Sequence, residues 1–191
     1  MMLFLLDFID RDLFVLINQR WALPALDPMM IFLSSKWAFV PLYMVFLVLF
    51  WRKFGVKCWV PILLTVASFG LADSISSRIF KPGFARVRPA FEETLHPRLP
   101  DGKPGSRYGF VSSHAANSFA VFATAMTLLG LGRRWRLGLM YLASAIAYSR
   151  VYLGVHYVGD VFFGALLGLA IAWCMVWVFE KQVLLRGVMN G

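Results

Sequence analysis

VFFGALLGLAIAWCMVWVF, residues 161–179, runs for nineteen positions without a charge. A helix rises about 1.5 Å per residue, so this run is long enough for the roughly 30 Å hydrocarbon core of a bilayer. AANSFAVFATAMTLLGLG, residues 115–132, is equally free of charge. The 191-residue chain is 60% hydrophobic, against about 45–50% in an ordinary soluble domain. These blocks predict an integral membrane protein, and the length fits a single domain over residues 1–191.

Outward from those two blocks, spans are expected at about 27–51, 57–80, 109–131, 135–152 and 156–179. Lys36 interrupts the first, of which 37–51 is the clean part. Residues 1–20 mix apolar positions with Asp7, Asp10, Arg11 and Asp12, a pattern that suits an interfacial amphipathic helix better than a span. The expected fold class is therefore all-α: a polytopic transmembrane helical bundle of five spans, with an N-terminal interfacial or sixth helix. The start lacks a basic leader before its apolar run, which argues against a cleavable signal.

The net charge of +9 could suggest a nucleic-acid partner. In a membrane chain, however, basic residues belong in cytoplasmic loops, and neither a basic helix with interleaved aromatics nor a zinc-like spacing is present, so no nucleic acid is expected. WRKFGVK (51–57), LGRRWR (131–136) and the tail with Lys181 and Arg186 are basic and mark one membrane face. Trp51, Trp59, Trp135 and Trp177 gather near the same face. By the positive-inside rule that face is cytoplasmic. The two cysteines, Cys58 and Cys174, lie in or beside apolar spans and suggest no disulfide framework.

The opposite face holds three polar islands: KPGFARVRP (81–89), FVSSHAANS (110–118) and SRVYLGVHYVGD (149–160). Alternating topology brings them to one side, next to a Pro- and Gly-rich loop over 81–108 that exceeds the usual loop length of about 12–15 residues. Lys81, Arg88 and Arg150 are cations suited to phosphate oxygens. A helix starting at SSH offers hydroxyls and free backbone N–H groups to an anion. His156 and Asp160 are spaced i, i+4 and share a helix face, so the carboxylate can hold one ring nitrogen and leave the other free. His114 is a candidate acid. Phosphoryl transfer needs little more than positioning, cations, a nucleophile and a proton donor.

These islands resemble the three-part signature of the type-2 phosphatidic-acid phosphatase family, K-x6-RP, PSGH and SR-x5-H-x3-D. Lys81 with Arg88-Pro89 matches the first part, and Ser149, Arg150, His156 and Asp160 match the third. The middle part reads VSSH, with Ser112 and His114 matching, Val111 in place of proline and Ser113 in place of glycine. The likeness covers roughly residues 57–180. It implies His156 as the nucleophile that forms a phosphohistidine, Asp160 as its orienting partner and His114 as the general acid. It also implies Lys81, Arg88, Arg150, Ser112 and the backbone N–H of Ser113 as the phosphate cradle. No metal and no cofactor is implied; the partner is a membrane lipid phosphate.

The resemblance further implies a bacterial inner-membrane enzyme working on the outer leaflet, with undecaprenyl diphosphate as first substrate and phosphatidylglycerophosphate or lipid A 1-phosphate as alternatives. A phosphotransferase would use the same intermediate. A proton-relay transporter built on Asp73, His114 and His156 would need polar residues deep in several spans, whereas here they gather at one edge. Arg86, Arg98, Lys103 and Arg107 are expected to snorkel or to meet headgroups, and His96 to be solvated. Asp73, an intramembrane carboxylate, is expected to support the site by pairing with Arg78 or Lys81.

Overall fold

The computed structural model describes residues 2–35 and 37–189, with side chains over 7–35 and 37–181. Lys36 and the Arg186 side chain, both used above to place spans, lie outside the described residues. The chain is helical: α1 (Met2–Val15), α2 (Asp27–Ser34), α3 (Val40–Phe54), α4 (Trp59–Ser74), α5 (Lys81–Phe84), α6 (Ser113–Leu129), α7 (Arg133–Tyr152) and α8 (Val158–Met189). A π-helical stretch, Ile75–Phe80, joins α4 to α5 without a break. Among the described residues there is no β-strand, only an antiparallel bridge between Val87 and Tyr108.

Among the described residues, two helical stretches are long and apolar enough to cross a membrane, Val40–Phe84 and Val158–Lys181. The first of them turns at Gly55, whose φ of +55° lies in the region that favours glycine, so it contains two helical legs, α3 and α4. The expected span over 27–51 is not one helix. Ser35 is extended and caps α2, Trp37, Ala38 and Phe39 form a turn, and Pro41 then sits in the first turn of α3, where its missing N–H costs nothing.

The molecule is arranged with its apolar surface outward. Val45, Val48, Leu63, Val66, Phe69, Leu166 and Trp173 are all exposed, a perimeter that water would not tolerate and a bilayer would. The interior is built from small residues instead. α6 packs against α8, α4 and α7, and buries Ala115, Ala116, Ala120, Ala123 and Ala125. Opposite them on α8 stand Gly164 and Gly168. A Cβ on Gly168 would lie 2.4 Å from the Ala116 carbonyl oxygen, and one on Gly164 would lie 2.6 Å from that of Ser112. Without a hydrophobic driving force between helices in lipid, such close backbone approach is what holds a pair together.

At the other end of α6, Lys53 Nζ donates to the carbonyls of Leu128 (3.0 Å) and Leu129 (2.7 Å). This joins the end of α3 to the end of α6, the same end at which α4 and α7 begin. Trp51, Trp59 and Trp135 are exposed there. The N-terminus of α6 points the opposite way, toward the three polar islands.

Residues 7–26 pack onto the island end. Phe14 is buried edge-to-face on Tyr157 at 5.6 Å, while Phe8, Ile9 and Leu13 face outward. Asn18, fully buried, donates from Nδ2 to the carbonyls of Tyr152 (2.7 Å) and Arg98 (3.0 Å) and accepts at Oδ1 from Arg98 N–H (2.9 Å). In α1, Asp10 is buried beside Phe14, while Asp7 and Asp12 remain exposed.

Candidate active site

The long loop supplies the first part of the site. Arg88 N–H donates to the Arg107 carbonyl and Gly109 N–H to the Arg86 carbonyl, so the loop closes on itself as a short ladder around the Val87–Tyr108 bridge. That closure buries the Arg88 side chain. Its Nε donates to the Tyr108 carbonyl (3.1 Å), Nη1 to that of Val155 (3.4 Å) and Nη2 to Ser106 Oγ (3.4 Å). Gly109 passes directly behind His156 and Asp160: a Cβ there would fall 3.0 Å from Asp160 Oδ2 and 2.8 Å from Arg88 Cγ.

The second part is the start of α6. Ser112 occupies the N-cap with its side chain fully buried, and the N–H groups of the following turn have no intrahelical acceptor. Ser112 N–H itself donates to the Asp160 carbonyl at 2.9 Å, which fastens the start of α6 to the start of α8. Ser113 stands where the motif has glycine. Its Oγ accepts from Lys81 Nζ (2.9 Å) and from Ser76 Oγ (2.9 Å), so the substitution adds a hydroxyl anchor for the lysine. The Phe110–Val111 peptide bond is cis.

The third part is the turn between α7 and α8. His156 is 2% exposed and its Nδ1 lies 3.1 Å from Asp160 Oδ2. An ionised carboxylate only accepts, so the ring proton sits on Nδ1 and the Nε2 lone pair is left free. Asp160 Oδ2 also accepts from Tyr157 N–H at 3.2 Å. Burial, then the charges of Arg88, Arg150, Lys81 and Arg86, hold His156 well below the ordinary histidine range, so the imidazole is neutral at neutral pH. His114, on the first turn of α6, is close enough to feel the charges of Arg150, His156 and Lys81, and its ring shares a hydrogen bond with the Ser34 backbone.

Lys81, Arg88, Ser112, Ser113, His114, Arg150, His156 and Asp160, named from the sequence, therefore lie at this end. Two buried donors there, Ser112 Oγ and Arg150 Nε, have no hydrogen-bond partner among the described residues. Buried polar atoms are normally satisfied, and these are two of the cradle positions named above. Together with Lys81, Arg88 and the α6 N-terminus they can hold a tetrahedral anion beside a neutral, oriented imidazole. No group of His, Cys, Asp and Glu able to hold a metal occurs among the described residues.

Three expectations are corrected. Arg86 does not snorkel: Nη1 lies 2.9 Å from Asp160 Oδ1 and 2.8 Å from Asp10 Oδ2, and Nη2 lies 3.0 Å from Asp7 Oδ1. Arg98 pairs with Asp27 at 2.9 Å, because Asn18 pins its backbone beside α2. Asp73 makes no ion pair among the described residues; its Oδ1 accepts from Asn117 Nδ2 at 3.1 Å, since α6 rather than α5 faces that side of α4. It reaches Lys81 only through space.

Sequence reasoning also missed an aromatic wall. Phe84 stacks with Phe80 (5.6 Å between centroids) and meets Phe110 (4.7 Å), which meets Phe163 (5.6 Å). Phe84 is 64% exposed and Phe163 50%. Their neighbours Lys81, Ser112 and Asp160 are site residues, which was the available signal.

The PAP2 superfamily profile matches residues 58–184. A lipid A 4′-phosphatase of Porphyromonas gingivalis is 32% identical over 172 residues, covering 85% of this chain and 70% of that protein. An undecaprenyl-diphosphatase of Sulfolobus acidocaldarius is 30% identical over 163 residues, covering 82% and 72%. Among solved structures, the transmembrane PAP2-type phosphatidylglycerolphosphate phosphatase of Bacillus subtilis superposes with a TM-score of 0.67 at 27% identity, covering 92% of this chain and 85% of that one. The three islands, the helical frame that joins them and these likenesses lead to one conclusion: the chain belongs to the PAP2 superfamily and is a phosphatase, a hydrolase.

Proposed function

We propose that this chain is a metal-independent lipid phosphatase of one domain, working through a phosphohistidine at His156. The observation that carries the reading is the pairing of a neutral, buried His156 with unpartnered buried donors at Ser112 and Arg150. In this scheme His156 Nε2 forms a bond to phosphorus while the bond from phosphorus to the lipid oxygen breaks. His114 gives its proton to that oxygen. Water then attacks phosphorus, returns a proton to His114 and releases inorganic phosphate as the P–N bond breaks. Lys81, Arg88, Arg150, Ser112 and the Ser113 N–H carry the charge on the equatorial oxygens; Asp160 keeps the ring in register.

The wall of exposed Phe84 and Phe163 around half-buried Phe110 supports a substrate whose tail stays in lipid while its phosphate enters the cradle. Among lipid phosphates, the 4′-phosphate of lipid A comes first, on the strength of the Porphyromonas relative. Undecaprenyl diphosphate, the first expectation from the sequence, follows it on the strength of the Sulfolobus relative. In the proposed topology α3, α4, α6, α7 and α8 cross a bacterial inner membrane and α1 lies at its surface. Arg52, Lys53, Lys57, Arg133, Arg134 and Arg136 cluster at the end away from the site, which supports placing the site on the outer face.

The test is phosphate release by the purified chain in detergent with EDTA present, comparing wild type with His156→Ala. Lipid A, undecaprenyl diphosphate and phosphatidylglycerophosphate are the substrates. Release by wild type, lost in the variant and fastest on lipid A, supports the reading. Release from none of the three, or equal release by His156→Ala, overturns it.

A further inference from the structure

Asp160 has two carboxylate oxygens, and only one faces His156. Oδ2 holds the ring and the Tyr157 N–H. Oδ1 receives Arg86 Nη1 at 2.9 Å. Arg86 is not one of the residues of the K-x6-RP, SR-x5-H-x3-D pattern. It lies in the loop, stacked on the Tyr157 ring at 4.3 Å, with a side chain 23% exposed.

Arg86 is held in turn from the N-terminal helix. Asp10 Oδ2 lies 2.8 Å from Arg86 Nη1, and Asp10 Oδ1 accepts from Gly159 N–H at 2.8 Å. Asp10 therefore grips both the arginine and the backbone next to Asp160. Gly159 makes this contact possible, because a Cβ there would lie 2.7 Å from Asp10 Oδ2. Asp7 takes the outer edge of the guanidinium at 3.0 Å. The result is a continuous chain of contacts running Asp10, Arg86, Asp160, His156.

We infer that Arg86, anchored by Asp10 of the N-terminal helix, is a positioning residue for the Asp160–His156 pair, so that α1 is a working part of the active site. An isolated buried carboxylate is costly, and a planar guanidinium that bridges two carboxylates fixes both in orientation. Asp160 directs the attacking nitrogen of His156. A small rotation of Asp160 moves that nitrogen off line, and a displacement of about 1 Å can cost about 10²-fold in rate.

This inference rests on the phosphohistidine reading, and the experiment separates the two. The full chain in detergent is assayed as wild type, His156→Ala, Arg86→Gln, Arg86→Lys, Asp10→Asn and Arg107→Gln, the last an exposed cation of the same loop. Arg86→Gln is expected to lower kcat by about 10²-fold with KM nearly unchanged. The charges acting on His156 are Asp160 from α8, Arg86 and Arg88 from the loop, Lys81 from α5, Arg150 from α7 and His114 from α6. Loss of Arg86 removes one of the cations, so the acid limb of kcat/KM moves to higher pH.

Arg86→Lys keeps the cation without the fork: its acid limb stays in place and kcat recovers by about tenfold over Arg86→Gln. Asp10→Asn lowers kcat by about tenfold, again without raising KM. Arg107→Gln leaves the acid limb in place. An Arg86→Gln chain with kcat near wild type, a loss confined to KM, or an unmoved acid limb overturns the inference. If Arg86→Gln does not fold, wild-type kcat in Asp10→Asn overturns it instead. Wild type inactive, or His156→Ala active, overturns the phosphohistidine reading itself.

Discussion

Ser113 Oγ accepts a hydrogen bond from Lys81 Nζ at 2.9 Å, which ties the start of α6 to the α5 turn across thirty-two positions of sequence. The same hydroxyl accepts from Ser76 Oγ, but Ser76 has a second acceptor in the Asp73 carbonyl at 3.0 Å. Removing the Ser113 hydroxyl therefore falls on Lys81 alone. Ser113→Ala is expected to raise KM for a lipid phosphate about fivefold, equivalent to about 1 kcal/mol of binding, with kcat changed less. Steady-state kinetics decide it; an unchanged KM would show that Lys81 needs no anchor.

The depressed pKa of His156 sets the acid side of the pH profile. Burial and the surrounding cations favour the neutral ring in the folded chain, whereas in the unfolded chain the ring titrates near about 6.5. Below about pH 6.5 the unfolded state binds the extra proton first, so stability falls as pH drops from there toward the folded value. The kcat/KM profile should stay flat from neutral pH past about 6.5 and fall only further into acid. Melting in detergent should show a lower midpoint at acid pH, and less of that acid loss in His156→Ala. A kcat/KM limb at about 6.5 would mean a solvated histidine.

The seam between α6 and α8 tolerates no added atom. Gly168→Ala would place a methyl 2.4 Å from the Ala116 oxygen and 2.9 Å from Ala120 N, so the helices must part, at about 1–3 kcal/mol. Because Ser112 and Asp160 head these two helices, activity should fall with stability. Gly70→Ala on α4, with nothing within 4 Å of a built Cβ, is the control and should be neutral or slightly stabilising. Equal thermal midpoints for the two variants would rule out a tight seam.

Asn18→Ala would strand the carbonyls of Tyr152 and Arg98 and the Arg98 N–H around a fully buried position. The expected cost is about 1–3 kcal/mol, because buried backbone groups lose their partners. A thermal midpoint within error of wild type would mean that Asn18 does not fasten the segment before α2 to the rest of the fold.

The site was more legible in the sequence than the frame that carries it. His156, Asp160, Arg150, Lys81 and Arg88 could be named because their chemistry is rare at a membrane edge and their spacing is fixed by helix periodicity. The 161–179 block was unambiguous because nothing but a helix can carry nineteen uncharged residues through lipid. The break between α2 and α3 showed in the sequence only as Lys36 interrupting the span expected over 27–51; the separate start of α3 at Val40, with Pro41 in its first turn, carries no periodic signal. Arg86 and Arg98 were misread for a different reason. A basic residue in a polar loop has no periodic signature, and the partners, Asp10 and Asp160 for Arg86 and Asp27 for Arg98, are 71 or more positions away. Ser113 read as a departure from the motif until its neighbours Ser76 and Lys81 were placed.

The bond from Ser112 N–H to the Asp160 carbonyl runs from backbone to backbone. No exchange of side chain at either position deletes it, proline at 112 excepted. The alignment of the proposed cradle and nucleophile is thereby insulated from drift in the side chains around them. Headgroup preference can diverge through the loop and the aromatic wall while the spacing between the two helix starts is inherited unchanged. A lineage built this way can trade one lipid phosphate for another without first rebuilding its reaction centre.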